Sequence, residues 1–377
     1  MEVRIGDCIE CNPTVKLTKG IEYPLIDIDK ITVGRKLVTN KETIVYDKQS
    51  GCKFQNGDTL MARITPCLEN GKMAMVSVPD KGIGSTEFFV FRGKKDVTDN
   101  EFVYYFLRQQ YIRNLAANSM SGASGRQRAD LKYIKKIKFD LPTLPTQQKI
   151  ASILSTYDNL IENNTKRIRL LEQMAENLYK EWFVRFRFPG HENVEMERGV
   201  PKGWSIAKLK EIVKRLPFNR TYKEFELKQE GNVIVIDQST KGYLGFHNNE
   251  PSHIATLDAP IIIFGDHSCK FQLMIKNFSL GENVIPFVSN DEERTNRYYL
   301  FYATHKLIET EEYKRHWGRL MAMKVLIPNI KLQQEFSEII KIMENDKEYL
   351  QRQIALLTKQ RDLLLPRLMS GKLEVKP

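Results

Sequence analysis

The chain repeats itself at a fixed offset, and this limits its architecture more than any local motif does. Gln147-Gln148 stands six residues after Leu141-Pro142, and Gln333-Gln334 stands six residues after Ile327-Pro328. The offset of 186 then holds without a gap, pairing Ile153 with Ile339, Ile168 with Ile354, Leu171 with Leu357 and Leu178 with Leu364. That is close to half of 377 residues. Self-similarity on this scale implies a tandem duplication, each copy a globular segment followed by a long helix. A chain of this length also exceeds what one core usually carries, so each copy can bury its own interior.

The helices show the clearest periodicity. Leu154, Tyr157, Ile161, Asn164, Ile168, Leu171, Ala175, Leu178 and Trp182 alternate steps of three and four, which makes a coiled-coil seam. The second copy reads Ile340, Met343, Lys347, Leu350, Ile354, Leu357, Arg361, Leu364 and Leu368. A helix of about 38 residues is about 57 Å long at roughly 1.5 Å per residue, more than a domain of this size needs for its own core. Each seam therefore predicts the other as its partner. Pseudo-twofold symmetry between the copies makes the pairing antiparallel and places the globular segments at opposite ends of the rod. Asn164 is expected to pin the register, and Lys347 and Arg361 to reach out past the seam. Pro142 and Pro145 precede the first helix and Pro328 the second, which Pro366 is expected to end.

Between the helices the pattern changes. Thr59 to Ile64, Lys72 to Val78 and Phe88 to Arg92 are strand-forming runs bounded by turns such as Asn56-Gly57-Asp58 and Asn70-Gly71. Glu101 to Arg113 reads as one helix among them, with Phe102, Tyr105, Phe106 and Ile112 at helical spacing. The second globular segment repeats this order more loosely, with strand-like runs at Asn232 to Ile236, Ala259 to Phe264 and Leu273 to Lys276. Arg297 to Lys306 is its helix, and Tyr298-Tyr299 stand where Tyr104-Tyr105 stood, at an offset of 194. The expected fold class is α+β with a pseudo-twofold internal repeat. Its parts are a mixed α/β domain over 1–143, a long helix over 144–186, a second mixed domain over 187–328, and a second helix with a tail over 329–377.

The formal charge of +11 favours a polyanionic partner. Residues 1–140 hold 23 basic against 17 acidic residues, whereas 191–327 hold 19 against 18. The excess gathers in Arg126, Arg128, Lys132, Lys135, Lys136 and Lys138, opposed within that run by Asp130. No apolar run approaches the roughly 18 residues that span a bilayer, and Met1-Glu-Val-Arg lacks the apolar stretch of a secretory signal, so a cytoplasmic protein is expected. The five cysteines are expected to be reduced thiols. Cys8 and Cys11 have CxxC spacing, but no second pair or nearby His completes a zinc site.

Catalytic sets are lacking in the sequence. An amino-methyltransferase needs an Asn/Asp-Pro-Pro-aromatic loop, but Asn12-Pro13 is followed by Thr14; GxxxxGK[ST] is absent. Asp258 and Asp266, flanking an apolar run, are too few carboxylates for a two-metal nuclease. No metal site and no catalytic residue is expected.

The sequence does resemble one family. Leu141-Pro142-x-Leu144-Pro145-x-Gln147-Gln148-Lys149-Ile150 leads into a helix carrying Ile168-x-Leu170-Leu171-Glu172 and Trp182-Phe183. The second copy ends Pro366-x-Leu368-Met369-Ser370-Gly371-Lys372-Leu373. Together these resemble the specificity subunit of a type I restriction-modification enzyme. Gly57 to Ile64, followed by Gly71-Lys72-x-Ala74, is similar to that family's target-recognition hairpin. The resemblance implies a non-catalytic DNA reader. Each target-recognition domain would read one half of a split, asymmetric sequence. The paired helices would set the gap and dock two methyltransferase (modification) subunits, and those subunits, not this chain, would carry S-adenosylmethionine. Restriction/translocase subunits would join for cleavage.

Direct DNA contacts are expected from polar and basic residues on turns between strands. In the first domain these are Arg63, Thr65, Lys72, Ser124, Arg126, Gln127 and Arg128, with Lys132 and Lys135 on phosphate. In the second they are His267, Ser268, Lys270, Gln272, His316, Trp317 and Arg319. The near-neutral second domain departs from a simple basic patch and suggests that its phosphate contacts are few or are supplied partly by a partner. The expected inter-helix seam is Ile161, Asn164, Ile168, Leu171, Leu178, Leu350, Ile354, Leu357 and Leu364. Three rivals remain at this point: a coiled-coil adaptor that does not touch DNA, a cryptic nuclease, and the specificity subunit of a related methylase-nuclease fusion system. Salt-dependent filter binding and a magnesium-dependent cleavage assay separate the first two from a DNA reader.

Overall fold

The computed structural model describes residues 2–123, 125–218, 220–310 and 314–375. The chain divides into two units, Met1–Lys166 with Gln351–Pro377, and Arg167–Leu350.

In the first unit, β1 (Glu2–Arg4) is followed by the short turn α1 (Ile5–Cys8) and β2 (Ile9–Cys11). Next come β3 (Glu22–Ile26), β4 (Leu37–Val38), β5 (Thr43–Val45), β6 (Cys52–Gln55) and β7 (Thr59–Ala62). Then follow β8 (Met73–Val76), β9 (Lys81–Gly84), β10 (Phe88–Gly93), α2 (Asn100–Arg108), α3 (Gln110–Asn118), α4 (Leu131–Lys136) and β11 (Lys138–Asp140). The first long helix, α5 (Leu144–Tyr179), begins in this unit. The main sheet has the order β2-β10-β7-β8-β4, and a second sheet has β5-β3-β9-β6.

Alternation explains how the main sheet is used, since successive strand residues face opposite sides. Met61, Met73, Met75, Phe89 and Phe91 pack with α2 and the start of α5. Their neighbours Leu60, Ala62, Ala74, Val76, Phe88 and Val90 pack against Ile26 and Phe54 of the second sheet. With both faces covered, β7, β8 and most of β10 read as continuous apolar runs. The helix expected over Glu101 to Arg113 is two helices, because Gln109 turns extended (ψ 135°) between α2 and α3. Asp99 caps α2 by accepting from Phe102 N at 2.9 Å.

The second unit opens with the remainder of α5 and a wider helical turn, Lys180–Val184. It continues through β12 (Met196–Glu197), β13 (Val200–Pro201), β14 (Ser205–Lys208), α6 (Leu209–Ile212), β15 (Val213–Arg215), β16 (Val233–Ile236) and β17 (Tyr243–His247). Then follow β18 (Ile261–Gly265), β19 (Phe271–Met274), β20 (Phe278–Leu280), β21 (Val284–Ser289), α7 (Arg297–Thr304), α8 (Trp317–Ala322), β22 (Lys324–Ile327) and α9 (Ile330–Met369). Its main sheet runs β15-β21-β18-β19 beside a sheet β17-β16-β20 and a pair β14-β22. Here too Ile262, Phe264 and Phe287 face the helices while Ile261, Ile263 and Val288 face the other sheet.

The helical segments pair antiparallel inside each unit. In the first, Asp158 meets Arg361 and Asn164 donates to Gln353 at 3.0 Å, so α5 rises as α9 falls. In the second, Glu172 meets Lys347 at 3.5 Å, and Trp182 packs on Phe336 with ring centroids 6.1 Å apart. Asn164 and Leu350 are buried; Ile161, Ile168, Leu171, Leu178, Ile354, Leu357 and Leu364 are half-buried.

Three expectations about the helices are corrected. Arg361 does not reach past the seam but is buried, drawn in by the Asp158 carboxylate. Lys347 is held within the helix pair by Glu344 at 2.9 Å and by Glu172. Pro366 does not end α9, which continues to Met369. So close to the end, a proline removes one donor, and Leu365 and Leu368 anchor that turn in the core.

Gln147 and Gln333 are fully buried and do the same work in their own units. Gln147 donates to Pro142 O and Val97 O and accepts from Asp99 N. Gln333 donates to Pro328 O and Arg294 O and accepts from Asn296 N, the neighbour of the helix α7 it helps to start. Each ties the first turn of a long helix to the loop before an aromatic helix. Among the described residues no helix is long and apolar enough to cross a membrane.

Candidate nucleic-acid interface

Four of the first unit's candidate residues, Arg63, Arg128, Lys132 and Lys135, come together where β7 leaves the main sheet. Arg63 is clamped there by its backbone: its N–H donates to Glu87 O at 2.9 Å and its carbonyl accepts from Ala129 N at 2.9 Å. The loop after α3 returns on itself through paired bonds between Ser121 and Arg128, and Thr65 N donates to Gln127 O at 3.0 Å. Asn12, after β2, is fixed beside β10, its side chain accepting from Val90 N at 2.9 Å. Asp130 caps α4 through Lys132 N.

The result is a cleft of about 630 Å³ lined by Asn12, Arg63, Phe89, Ser121, Arg128, Ala129, Asp130, Leu131, Lys132 and Lys135. Four cations line it against Asp130 in the lining and Glu87 on Arg128, so the cleft still presents a positive field to an anionic ligand. Those cations differ in their attachments. Arg128 is gripped through Nε and Nη2 by Glu87, whose carboxyl the guanidinium holds below the usual carboxylate range. Lys132 and Lys135 stand exposed on α4. The Arg63 guanidinium lies over the Phe89 ring, 5.0 Å from its centroid, and its buried Nε finds no partner among the described residues. An unmet buried donor costs about 1–3 kcal/mol, and a ligand acceptor in the cleft would recover part of that.

Two other predicted residues of this unit serve structure. Lys72 Nζ donates to Ile28 O at 2.9 Å, folded back onto the domain, and Thr65 Oγ1 lies 3.1 Å from Met120 Sδ. Arg126 is exposed and Gln127 half-buried on the loop; Ser124 lies outside the described residues.

In the second unit the candidates do not gather in the same way. Lys270 Nζ donates to Ser239 O and Thr240 O, and Gln272 Nε2 to Asp237 O and Gly242 O, so both brace the turn after β16. Ser268 and Arg319 are exposed, Arg319 donating to Glu309 O, and His267 is half-buried with its N–H on Gln238. His316, expected on a DNA-facing loop, is instead fully buried, and Trp317 packs on Phe264 and Phe287. The cause is Asp266, which the sequence reading weighed only as a metal ligand. Its Oδ1 accepts from His316 N at 3.0 Å and Trp317 N at 2.9 Å, drawing the start of α8 into the core.

Asp266 occupies the backbone setting that Arg63 has in the first unit. Its N–H donates to Asn283 O at 2.9 Å and its carbonyl accepts from His316 N at 2.8 Å. A basic side chain over a cleft in one unit is thus matched by a carboxylate spent on capping in the other. Chemical type alone could not reveal this, because the match depends on strand position.

Comparison with known proteins narrows what such a cleft serves. Residues 1–173 match the family described as type I restriction modification DNA specificity domain. The specificity subunit of the type I restriction enzyme MjaVIII of Methanocaldococcus jannaschii is 24% identical over 422 aligned residues, covering 99% of this chain and 93% of its own. The MjaIX specificity subunit of the same organism is 26% identical over 316, covering 75% and 71%. The first 173 residues thus match a type I DNA specificity domain, and the chain as a whole is similar to specificity subunits of type I restriction enzymes. A solved structure, the S subunit of a type I restriction-modification system from M. genitalium, shares the fold with a TM-score of 0.55. It is 16% identical and covers 98% of this chain and 96% of its own. The cleft around Arg63 lies wholly inside the matched segment.

Proposed function

We propose that the chain reads a split, asymmetric DNA sequence, one half with each target-recognition domain (1–143 and 187–328), and docks adenine-methyltransferase subunits on its long helices. The observation that carries this reading is the cleft of the first unit, where Arg63, Arg128, Lys132 and Lys135 face one space inside the matched DNA specificity domain. The 186-residue offset and the matching bonds of Gln147 and Gln333 support a duplicated frame. The exchange of Arg63 for Asp266 in one backbone setting is what two different half-sites require.

On this reading α5 and α9 act as the spacer, so a change in helix length alters the gap between half-sites and leaves the bases read unchanged. S-adenosylmethionine belongs on the methyltransferase subunits, nuclease or translocase subunits join for cleavage, and the complex works in the cytoplasm. The test is to purify the full chain with the subunits it carries and select from random-sequence duplexes at about 50 to 200 mM salt. A two-part motif, with affinity falling steeply as salt rises, is expected. Binding without any sequence enrichment would defeat the reading.

A further inference from the structure

We infer that Arg63 is the specificity-determining residue of the first half-site and that it selects guanine; this rests on the DNA-reading function proposed above. Each of the other cations of the cleft has a different use. Arg128 is fixed and neutralised by Glu87, and Lys132 and Lys135 are exposed on mobile stems suited to phosphate. Arg63 differs on three counts. Its backbone is held from both sides by Glu87 and Ala129. Its guanidinium plane is supported by the Phe89 ring, with the carbon 5.0 Å from the centroid. Its Nε is buried and unmatched by any acceptor among the described residues.

A planar donor fork that is recessed, stacked on an aromatic ring and left with an unmatched Nε fits a planar pair of acceptors better than it fits a phosphate at the rim. In the major groove the O6 and N7 atoms of guanine form such a pair, and Arg is their usual partner. Asn12 and Ser121, which also line the cleft, are uncharged and exclude no base by charge. The equivalent setting in the second unit offers no such fork, because the Asp266 carboxylate is buried and caps α8. Selection of guanine through this position therefore belongs to one half of the target only.

The experiment compares the full chain, purified with its associated subunits, with Arg63→Gln, Arg63→Lys and Lys132→Gln variants in selection from random-sequence duplexes. Wild type is expected to enrich a two-part motif with guanine at one position that depends on Arg63. Arg63→Gln and Arg63→Lys should lose preference at that position by about 5- to 150-fold while the other half-site stays intact, which also shows the variants are folded. Arg63→Lys keeps the charge and loses the fork, so it separates base reading from general attraction. Lys132→Gln should weaken binding to all sequences and leave the motif unchanged. If both Arg63 variants keep every guanine preference of wild type, or if neither half-site contains guanine, the inference is overturned while the DNA-reading function stands. A wild type that enriches no motif overturns that function itself.

Discussion

Arg361 and Asp158, 203 residues apart in sequence, form a buried ion pair with Nη1 2.5 Å from Oδ1. Their side chains are 1% and 4% exposed. The pair joins α9 to α5 within the first unit, and Asp158 Oδ2 also accepts from the Tyr105 hydroxyl at 2.5 Å. Arg361→Ala would strand a buried carboxylate and should destabilise the first unit by about 3–5 kcal/mol. The Asp158→Leu/Arg361→Met double variant should recover most of that, since removing both charges leaves neither unpaired. Urea denaturation of the three proteins decides it, and a loss below about 1 kcal/mol in Arg361→Ala would show that the pair is not coupled as described.

The two buried glutamines give a paired prediction. Gln147→Leu strands Asp99 N and the carbonyls of Val97 and Pro142, and Gln333→Leu strands the corresponding groups at Asn296, Arg294 and Pro328. Each should cost about 1–3 kcal/mol. Hydrogen exchange should place the first loss in α2 and the start of α5, and the second in α7 and the start of α9. Equal loss of protection in both units from either change would contradict independent anchoring.

Stability of the second unit should depend on pH through its buried histidines. His247 bonds to Ser279 Oγ at 2.9 Å and stacks on Tyr222, and His253 stacks on Phe278 and bonds to Pro217 O. Burial lowers the pKa of both, with Arg220 adding to the effect at His247. A folded-state pKa below the unfolded one means that the unfolded chain takes up protons first, so stability falls as pH drops below about 6.5. Glu176, held down to about 2 by Lys180 and Lys306, weakens the fold only below the ordinary carboxylate range, so the two windows are distinct. Urea midpoints for this unit should fall between pH 7 and 5, and His253→Gln should flatten that slope. A midpoint unchanged over the same range would refute it.

The exposed lysines of α4 should report phosphate contacts. Replacing Lys132 and Lys135 together by Gln should lower the magnitude of the log-affinity against log-salt slope by about two, at roughly 0.9 per phosphate contact. An unchanged slope would place the phosphate contacts elsewhere.

Much of the frame was legible because repetition and periodicity are local signals. The seam from Leu154 to Trp182, the strands near Thr59, Met73 and Phe88, and the aromatic helix at Tyr298-Tyr299 all follow from spacing. What spacing could not carry was partner choice. A heptad puts Arg361 on the seam but does not show that Asp158 waits opposite, so a charge expected in solvent is buried. The same limit applied to His316, whose burial follows from the Asp266 carboxylate 50 residues earlier. In the first unit Arg63 and the run holding Arg128, Lys132 and Lys135 line one cleft, although they lie far apart in sequence.

The central claim is that the helices set a distance and the domains set the bases. The most direct measurement is genome-wide mapping of methylated adenine in cells carrying this chain with its associated subunits. It should be repeated with seven residues inserted in each of α5 and α9, near Lys166 and Leu350. The account predicts a two-part motif whose gap changes with the insertion while both half-sites keep their bases. Altered bases across an unchanged gap, or one continuous motif, would contradict it.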